Sequence, residues 1–292
     1  MKAAPATHLR VLTALLLACP LLTGCGGASG AGSGTHVVTS FYPLQFVAQR
    51  VAGEHADVVN LTQPGQEPHD LELSVRQTAD VAGADVVLFE SGFQPAVDDA
   101  VEQSGPDHVV DAVDSADLAG DDPHFWLDPT RLGKVAAAFE QQLAEADPDH
   151  AADYERNLGR LRADLDELDT AFEKGLADCE ADTIVVSHDA FGYLGDRYGL
   201  DVVGINGLSP DAEPSPSHLR QLQDMIREDG ITTVFSEELA SPKFADSLAR
   251  DVGVDTAVLD PIEGLSDETA DEDYLSLMRS NLDELTTANR CR

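Results

Sequence analysis

Three histidines and one aspartate lie where the sequence predicts that a strand or loop gives way to a helix. His69 follows a proline in a turn, and His124 lies between two Asp-Pro pairs. His188 and Asp260 each follow a short apolar segment. Neutral imidazole and carboxylate are ligands with which proteins hold zinc in tetrahedral geometry. The four side chains therefore predict a site for a borderline-soft divalent cation, with zinc favoured over the oxygen-seeking calcium and magnesium.

Four neighbouring side chains are predicted to support these ligands without binding the metal. Asp70 and Asp189 each follow a histidine, and carboxylates near a ligating imidazole often orient its ring. Glu237 follows a predicted strand and would face the same cleft. Trp126, the only tryptophan in the chain, is expected to pack beside His124 and keep water away from the site.

Short segments rich in Val, Ile and Leu alternate with helix-like patterns, which indicates an α/β fold. Each half of the chain is predicted to form a parallel sheet of about four strands flanked by helices. The predicted strands are residues 37–39, 58–61, 86–89 and 109–110, then 184–187, 202–205, 233–235 and 257–259. Ligands bind at the carboxyl ends of strands in such sheets, so two facing lobes would gather the four side chains into one cleft.

A longer helical pattern joins the two halves. Residues 129–146 form one predicted helix, and apolar side chains then recur at intervals of three and four over residues 151–176. This stripe is too short for a coiled-coil arm and predicts one long, rigid helix between two lobes. The predicted boundaries are 36–148 for the N-terminal lobe, 149–178 for the connecting helix and 179–292 for the C-terminal lobe.

The N-terminus has the pattern of an export signal. Basic residues precede an apolar run at residues 11–22, which is shorter than the roughly 20 residues of a membrane-spanning helix. The run ends in Leu-Thr-Gly-Cys, which resembles a bacterial lipobox, so we predict a signal peptide at 1–24 and lipidation of Cys25. A competing match at Cys19 and an ordinary signal peptide cut elsewhere are the alternatives. Residues 25–35, rich in Gly, Ala and Ser, are predicted to be a flexible tether.

Composition limits the partners of the chain. There are 54 acidic and 18 basic residues, for a formal net charge of -36, which argues against binding nucleic acid or anionic lipid surfaces. Solubility or tolerance of a salty medium explains this charge better than cation attraction does. Cys179 and Cys291 are predicted to form a disulfide in an oxidising compartment, with free thiols as the alternative.

The ordered motifs resemble the metal-binding receptors of bacterial ABC importers, the ZnuA-like solute-binding protein family 9, or cluster A-I. The resemblance covers nearly all of the mature chain. It is carried by residues 67–70, 123–129, 187–193, 213–216, 235–237, 241–243 and 259–261. It implies two α/β lobes joined by a long helix, with metal ligands at His69, His124, His188 and Asp260. It also implies that the chain binds Zn²⁺ outside the cell and delivers it to an ABC importer permease.

The resemblance leaves the choice of metal open. Manganese receptors of the family tend to carry Glu where His188 stands, so histidine favours zinc and leaves Mn²⁺ as the alternative cargo. Many zinc receptors have a long His-rich loop before the second ligand motif. Residues 111–122 are short and contain no histidine, so a metal-collecting role for this segment is not expected.

Two other functional classes would use the same ligands. A zinc hydrolase or hydratase would keep the fourth coordination position open for water, whereas a ligating Asp260 would close it. We therefore expect a receptor and not an enzyme. A metal-dependent adhesin would differ only in its partner surface. The chain is expected to be a monomer, anchored by lipid to the outer face of the cell membrane or held in the periplasm.

Overall fold

The computed structural model describes residues 1–3, 34–118 and 120–292. Most of the predicted signal peptide, Cys25 and nearly all of the predicted tether therefore lie outside the described residues. Within the described residues, no helix combines the length and the apolar character needed to cross a membrane.

Two four-stranded parallel sheets form the framework, as predicted from the sequence. The first contains β1 (Thr35–Thr39), β2 (Ala56–Asn60), β3 (Val86–Phe89) and β4 (His108–Asp111), in the order β2-β1-β3-β4. The second contains β5 (Thr183–Val186), β6 (Asp201–Gly204), β7 (Thr233–Ser236) and β8 (Asp255–Val258), in the order β6-β5-β7-β8. The central strands are buried runs of valine and other apolar residues, as expected when helices cover both faces of a parallel sheet.

Helices alternate with the strands and cover the sheets. In the described residues they are α1 (Tyr42–Ala52), α2 (Val75–Ala82), α3 (Pro95–Ser104), α4 (Val113–Ala116), α5 (Pro129–Ala146), α6 (Ala151–Gly175), α7 (Gly192–Tyr198), α8 (Pro216–Glu228), α9 (Lys243–Val252) and α10 (Tyr274–Ala288). Short 3₁₀ turns lie at Pro68–Asp70, Phe125–Leu127 and Pro148–His150.

The start of α5 is fixed by local chemistry. The Asp128 carboxylate accepts a hydrogen bond from the backbone N–H of Thr130 at 2.9 Å, and Pro129 occupies the first helical position, where its missing N–H costs nothing. This cap ends the preceding loop at a defined residue. The segment that carries His124 is therefore held directly before a long helix.

The predicted long helix is α6, which lies between the two sheets in sequence and shares its core with both halves. Its predicted apolar stripe, Leu158, Leu161, Leu165, Leu168 and Phe172, is buried. The helix contacts α1 and α5 of the first half and α10 of the second. The predicted helix between two lobes is therefore confirmed, while the exact residues at the lobe boundaries remain a prediction.

Covalent and ionic contacts tie α6 to the second half. Cys179, four residues after α6, forms a disulfide with Cys291 near the C-terminus. Arg197 of α7 donates two hydrogen bonds to the Asp169 carboxylate of α6, at 2.5 and 2.6 Å. The C-terminal end of α6 is thus attached to the second half by side chains as well as by the backbone.

Shortening one side chain of the α6 stripe should destabilise the whole fold. Leu161→Ala removes a side chain that is 0% exposed, so we expect the free energy of unfolding to fall by about 2–5 kcal/mol. Asp166→Ala changes an exposed residue of the same helix and should alter it by less than about 0.5 kcal/mol. Urea unfolding of both variants measures this difference, and equal losses would contradict the shared core.

Candidate metal centre

Four side chains from the two halves converge at one point. His69, His124, His188 and Glu263 each offer one ligand atom, and these atoms all lie within 4.8 Å of one another. The Glu263 Oε1 atom lies 3.4, 3.1 and 3.3 Å from the Nε2 atoms of His69, His124 and His188, respectively. Three imidazoles and one carboxylate match the donor set of a tetrahedral zinc site. The structure therefore brings together the three predicted histidines and a carboxylate.

Each ligand candidate follows the carboxyl end of a strand or lies in a short turn. His69 lies in the 3₁₀ turn after β2, where its backbone N–H donates to the Glu67 carboxylate at 3.1 Å. His188 follows β5 by two residues, and Glu263 follows β8 by five. His124 directly precedes the second 3₁₀ turn. Parallel sheets place ligand sites at this edge, which explains why four distant segments meet.

Two carboxylates orient the buried imidazoles. Asp122 Oδ1 lies 2.7 Å from His124 Nδ1, and Glu237 Oε1 lies 2.7 Å from His188 Nδ1. Both contacts hold the Nδ1 atom and leave Nε2 facing the centre, an arrangement that is usual around ligating histidines. The contact of Glu237 agrees with the role expected for it from the sequence.

The role of Asp122 was missed in the sequence, although this residue opens the His124 motif. Asp122 also fixes the loop before His124, because its Oδ1 atom accepts a hydrogen bond from the His124 backbone N–H at 3.0 Å. Gly192 leaves room for this carboxylate, since a Cβ atom at that position would lie 2.8 Å from Asp122 Oδ2. An Asp two residues before the histidine was the available signal.

The carboxylates also set the protonation of the cluster. Burial lowers the pKa of His188, but hydrogen bonds with Glu237 and Glu263 outweigh burial and raise it to about 10. Burial likewise disfavours the charged form of His124, yet Asp122 and Glu263 raise its pKa. Burial would raise the pKa of Glu263, but hydrogen bonds from the three imidazoles hold it well below its usual range. Without a metal, the carboxylates therefore favour the charged forms of His124 and His188 beside an ionised Glu263.

The fourth member of the cluster is Glu263 and not Asp260, the residue expected from the sequence. Asp260 is buried, but its Oδ1 atom accepts a hydrogen bond from the backbone N–H of Ile262 at 2.8 Å. Its backbone N–H and carbonyl oxygen both bond the Asn281 side chain, at 2.9 and 2.7 Å. Burial and nearby glutamates raise the pKa of Asp260 to about 7 despite the hydrogen bond from Ile262. Asp260 thus shapes the turn that presents Glu263.

This turn is strained and is held by the first half of the chain. Ile262 has a φ of 58°, a left-handed conformation that is unusual for a β-branched residue and costs about 1–3 kcal/mol. The Trp126 indole donates to the carbonyl oxygen of Pro261 at 2.7 Å, and the Tyr274 hydroxyl donates to the carbonyl oxygen of Trp126 at 2.5 Å. The loop that carries Glu263 is therefore fixed to the segment that carries His124.

Trp126 also contacts the cluster directly, in agreement with the packing role expected for it. Its side chain is fully buried, and its ring lies edge-on to the His124 ring with centroids 5.3 Å apart. Such a ring excludes water from one side of the imidazoles.

The other two predicted supporting residues lie elsewhere. Asp70 is exposed, and its carboxylate contacts that of Asp211. Asp189 is half-buried, and its backbone N–H donates to the carbonyl oxygen of Gly207 at 3.0 Å. Among the described residues, neither carboxylate makes a hydrogen bond to an imidazole of the cluster, so the orienting role expected for both stays a prediction.

Comparison of the whole chain with known proteins identifies its family. A family model described as "ZnuA: Zinc-uptake complex component A periplasmic" matches residues 37–288. The high-affinity zinc uptake system protein ZnuA of Bacillus subtilis is 34% identical over 295 residues, covering 93% of this chain and 92% of that protein. The zinc-binding lipoprotein AdcA of Streptococcus pneumoniae is 34% identical over 298 residues, covering 93% of this chain. The chain spans 60% of the length of that lipoprotein.

Solved structures agree with the sequence relationships. The laminin-binding protein Lmb of Streptococcus agalactiae, described as an adhesin with metal-transporting activity, superposes with a TM-score of 0.80 at 31% identity, covering 87% of this chain and 99% of that one. Zn(II)-bound AdcA of Streptococcus pneumoniae superposes with a TM-score of 0.76 at 33% identity, covering 88% of this chain and 58% of that one. The predicted two-lobe fold and the resemblance stated from the motifs are therefore confirmed. The chain belongs to the ZnuA family of zinc-uptake components.

Proposed function

We propose that this chain is an extracytoplasmic receptor that binds Zn²⁺ with high affinity and delivers it to an ABC-type membrane importer. The observation that carries the proposal is the convergence of three imidazoles and the Glu263 carboxylate, with all ligand atoms within 4.8 Å. The Bacillus subtilis relative, named as a high-affinity zinc uptake protein, supports the same function.

The donor set favours zinc over manganese. Three of the four ligand atoms are imidazole nitrogens, and imidazole suits zinc, whereas manganese prefers carboxylate, carbonyl and water oxygens. A site with these ligands also binds zinc more tightly than manganese, because intrinsic affinity is lowest for manganese among the divalent first-row metals. Manganese remains a weaker competitor for the same ligands.

The same donor set argues against a catalytic zinc. His69, His124, His188 and Glu263 together fill a tetrahedral shell, whereas catalytic zinc sites keep one position for water or substrate. We therefore propose a receptor without enzymatic turnover. Since receptors of this family work with ABC importer permeases, the partner is a permease.

Release of the metal follows from the division of the ligands between the halves. His69 and His124 come from the first half, while His188 and Glu263 come from the second. A permease that shifts the loop at residues 260–263 would remove the one anionic ligand and lower the affinity. Protons can then take the metal's place on the imidazoles, since the carboxylates favour their charged form.

The proposed location is the outer face of the cell membrane, where Cys25 carries the lipid anchor and the receptor acts as a monomer. The disulfide between Cys179 and Cys291 suits an oxidising compartment.

Metal content tests the function directly. The purified chain should hold one tightly bound zinc and should not hydrolyse esters or hydrate carbon dioxide, because no coordination position is left for water. Elemental analysis and calorimetric titration measure the first property, and assays of the zinc-loaded chain measure the second. Absence of stoichiometric zinc, or turnover that requires zinc, would overturn the proposal.

Two isosteric changes distinguish Glu263 from Asp260. Glu263→Gln removes the anionic ligand and should weaken zinc binding by more than about 100-fold, which exceeds the loss for an outer contact. Asp260→Asn keeps an oxygen that can accept from the Ile262 N–H, so its loss should not exceed the roughly 10–100-fold typical of a residue outside the ligand shell. Competition titrations with a chelator measure both affinities. A larger loss for Asp260→Asn would restore Asp260 as the ligand.

Zinc binding should release protons near neutral pH. The pKa of His188, raised to about 10, keeps this ring protonated at neutral pH without metal, whereas ligation requires neutral imidazole. Zinc affinity should therefore rise with pH and fall as pH decreases, and binding should release the proton of His188. Calorimetry in buffers of different ionisation enthalpy counts these protons. Zinc binding without proton release would contradict the assigned protonation of the cluster.

A further inference from the structure

A cavity of about 520 Å³ opens beside the metal centre. It is lined in part by His69, Glu90, Asp121 and Asp122. His69 is the partly exposed member of the cluster, with 14% of its side chain accessible, while the side chains of the other two histidines are 0% exposed. A cation that approaches the cluster from the His69 side therefore passes the carboxylates of this cavity.

Glu90 is the unusual residue in this cavity. It follows β3 directly, is 2% exposed, and its Oε2 atom is buried without a hydrogen-bond partner among the described residues. A buried carboxylate oxygen without a partner is costly, and native structures rarely leave one unexplained. Nothing in the metal centre uses this side chain, so its position calls for a positively charged ligand.

The surroundings of Glu90 increase this need. Burial and the charges of Asp111, Asp122 and Asp98 raise the pKa of Glu90 well above its usual range. Among the described residues that line the cavity there is no Lys or Arg. The Asp98 Oδ1 atom is likewise buried without a hydrogen-bond partner in the described part of the chain. The described residues that line the cavity therefore supply no lysine or arginine to these carboxylates.

Nearby backbone N–H groups are committed to other carboxylates. Asp111 Oδ1 accepts from the backbone N–H groups of Ser91 and Val113, at 3.1 and 3.0 Å. Asp98 Oδ2 accepts from the backbone N–H of Gly92 at 3.0 Å. The loop after β3 is thus held in place by its neighbours, while the Oε2 atom of Glu90, a residue that lines the cavity, has no hydrogen-bond donor among the described residues.

We propose that Glu90, with Asp121 and Asp122, forms a second and weaker site for a hydrated divalent cation on the approach to His69. Asp121 and Asp122 end the segment for which the sequence predicted no metal-collecting role, so this inference departs from that expectation. This inference rests on the proposed function, since it concerns the route to the same metal centre. The site offers carboxylate oxygens and space for water, which is the environment preferred by hard cations such as Mn²⁺, Ca²⁺ and Mg²⁺. A water molecule occupies about 30 Å³, so the cavity can hold a cation with much of its hydration shell.

The two sites differ in chemistry and therefore in selectivity. The outer site binds divalent cations through oxygen and retained water, so it distinguishes little between them. The inner site strips the ion of water and selects through its three imidazoles. Zinc held at the outer site is concentrated beside the one accessible histidine before it exchanges water for imidazole.

Manganese binding to the zinc-loaded chain tests the second site. Zinc occupies the imidazole cluster and is not displaced by Mn²⁺, which has lower affinity for such ligands. Electron paramagnetic resonance then counts bound Mn²⁺ as the loss of the free-ion signal. We expect Glu90→Gln to lose one bound Mn²⁺ per chain, because the variant removes the carboxyl group, which can ionise when a cation binds, and keeps the size of the side chain.

Glu102→Gln is the matched control, since it removes one carboxylate from an exposed position of α3 in the same half. This control should bind as much Mn²⁺ as the original chain. Equal Mn²⁺ binding by Glu90→Gln and the original chain, or equal losses in both variants, would overturn the second site. Zinc content is measured before Mn²⁺ is added, so failure of the proposed receptor function is detected separately. Circular dichroism of each variant excludes misfolding as the cause of a loss.

Discussion

A single buried carboxylate held among three imidazoles is the constraint on which the site depends. Glu263 is 2% exposed, and its Oε1 atom lies within 3.4 Å of all three Nε2 atoms. Removing one partner from a buried charged group is strongly destabilising, so the four side chains must be positioned together. Because two of them come from each half, the cluster also fixes how the carboxyl ends of the two sheets face each other. A metal ion satisfies the same geometry by replacing protons on the imidazoles.

The surrounding structure holds this carboxylate at the correct place and charge. The Asp260 turn and the strained Ile262 backbone direct Glu263 towards the histidines, and the Trp126 indole fixes the turn from the opposite half. Asp122 and Glu237 hold the Nδ1 atoms of two rings and so leave Nε2 free for a ligand. Because α6 is buried against both halves, it provides a common core that keeps the ligand-bearing loops of the two halves in fixed positions relative to each other. Strain at the site is thus supported by packing elsewhere, as is usual for functional sites.

The sequence predicted the elements better than it predicted the loop geometry. All eight predicted strands and the long helix were found, because periodicity and burial determine them locally. The three histidines were found because each lies in an uncommon motif after a strand or turn.

Glu263 was missed because a loop after β8 could present either of two carboxylates, and the choice depends on a left-handed Ile262. One signal was present: an aspartate before such a turn commonly bonds the backbone two residues later, which predicts a structural role for Asp260. Glu90 gave no sequence signal, since its importance arises from burial without a partner.

X-ray absorption at the zinc edge of the loaded chain identifies the side chains that bind the metal. We expect a four-coordinate zinc with three imidazole nitrogens at about 2.0–2.1 Å and one carboxylate oxygen at about 2.0–2.2 Å. In Glu263→Gln the carboxylate contribution should disappear, while in Asp260→Asn the spectrum should match that of the original chain. A spectrum altered by Asp260→Asn and unchanged by Glu263→Gln, or one with fewer than three imidazoles, would rule out a zinc shell of three histidines and Glu263.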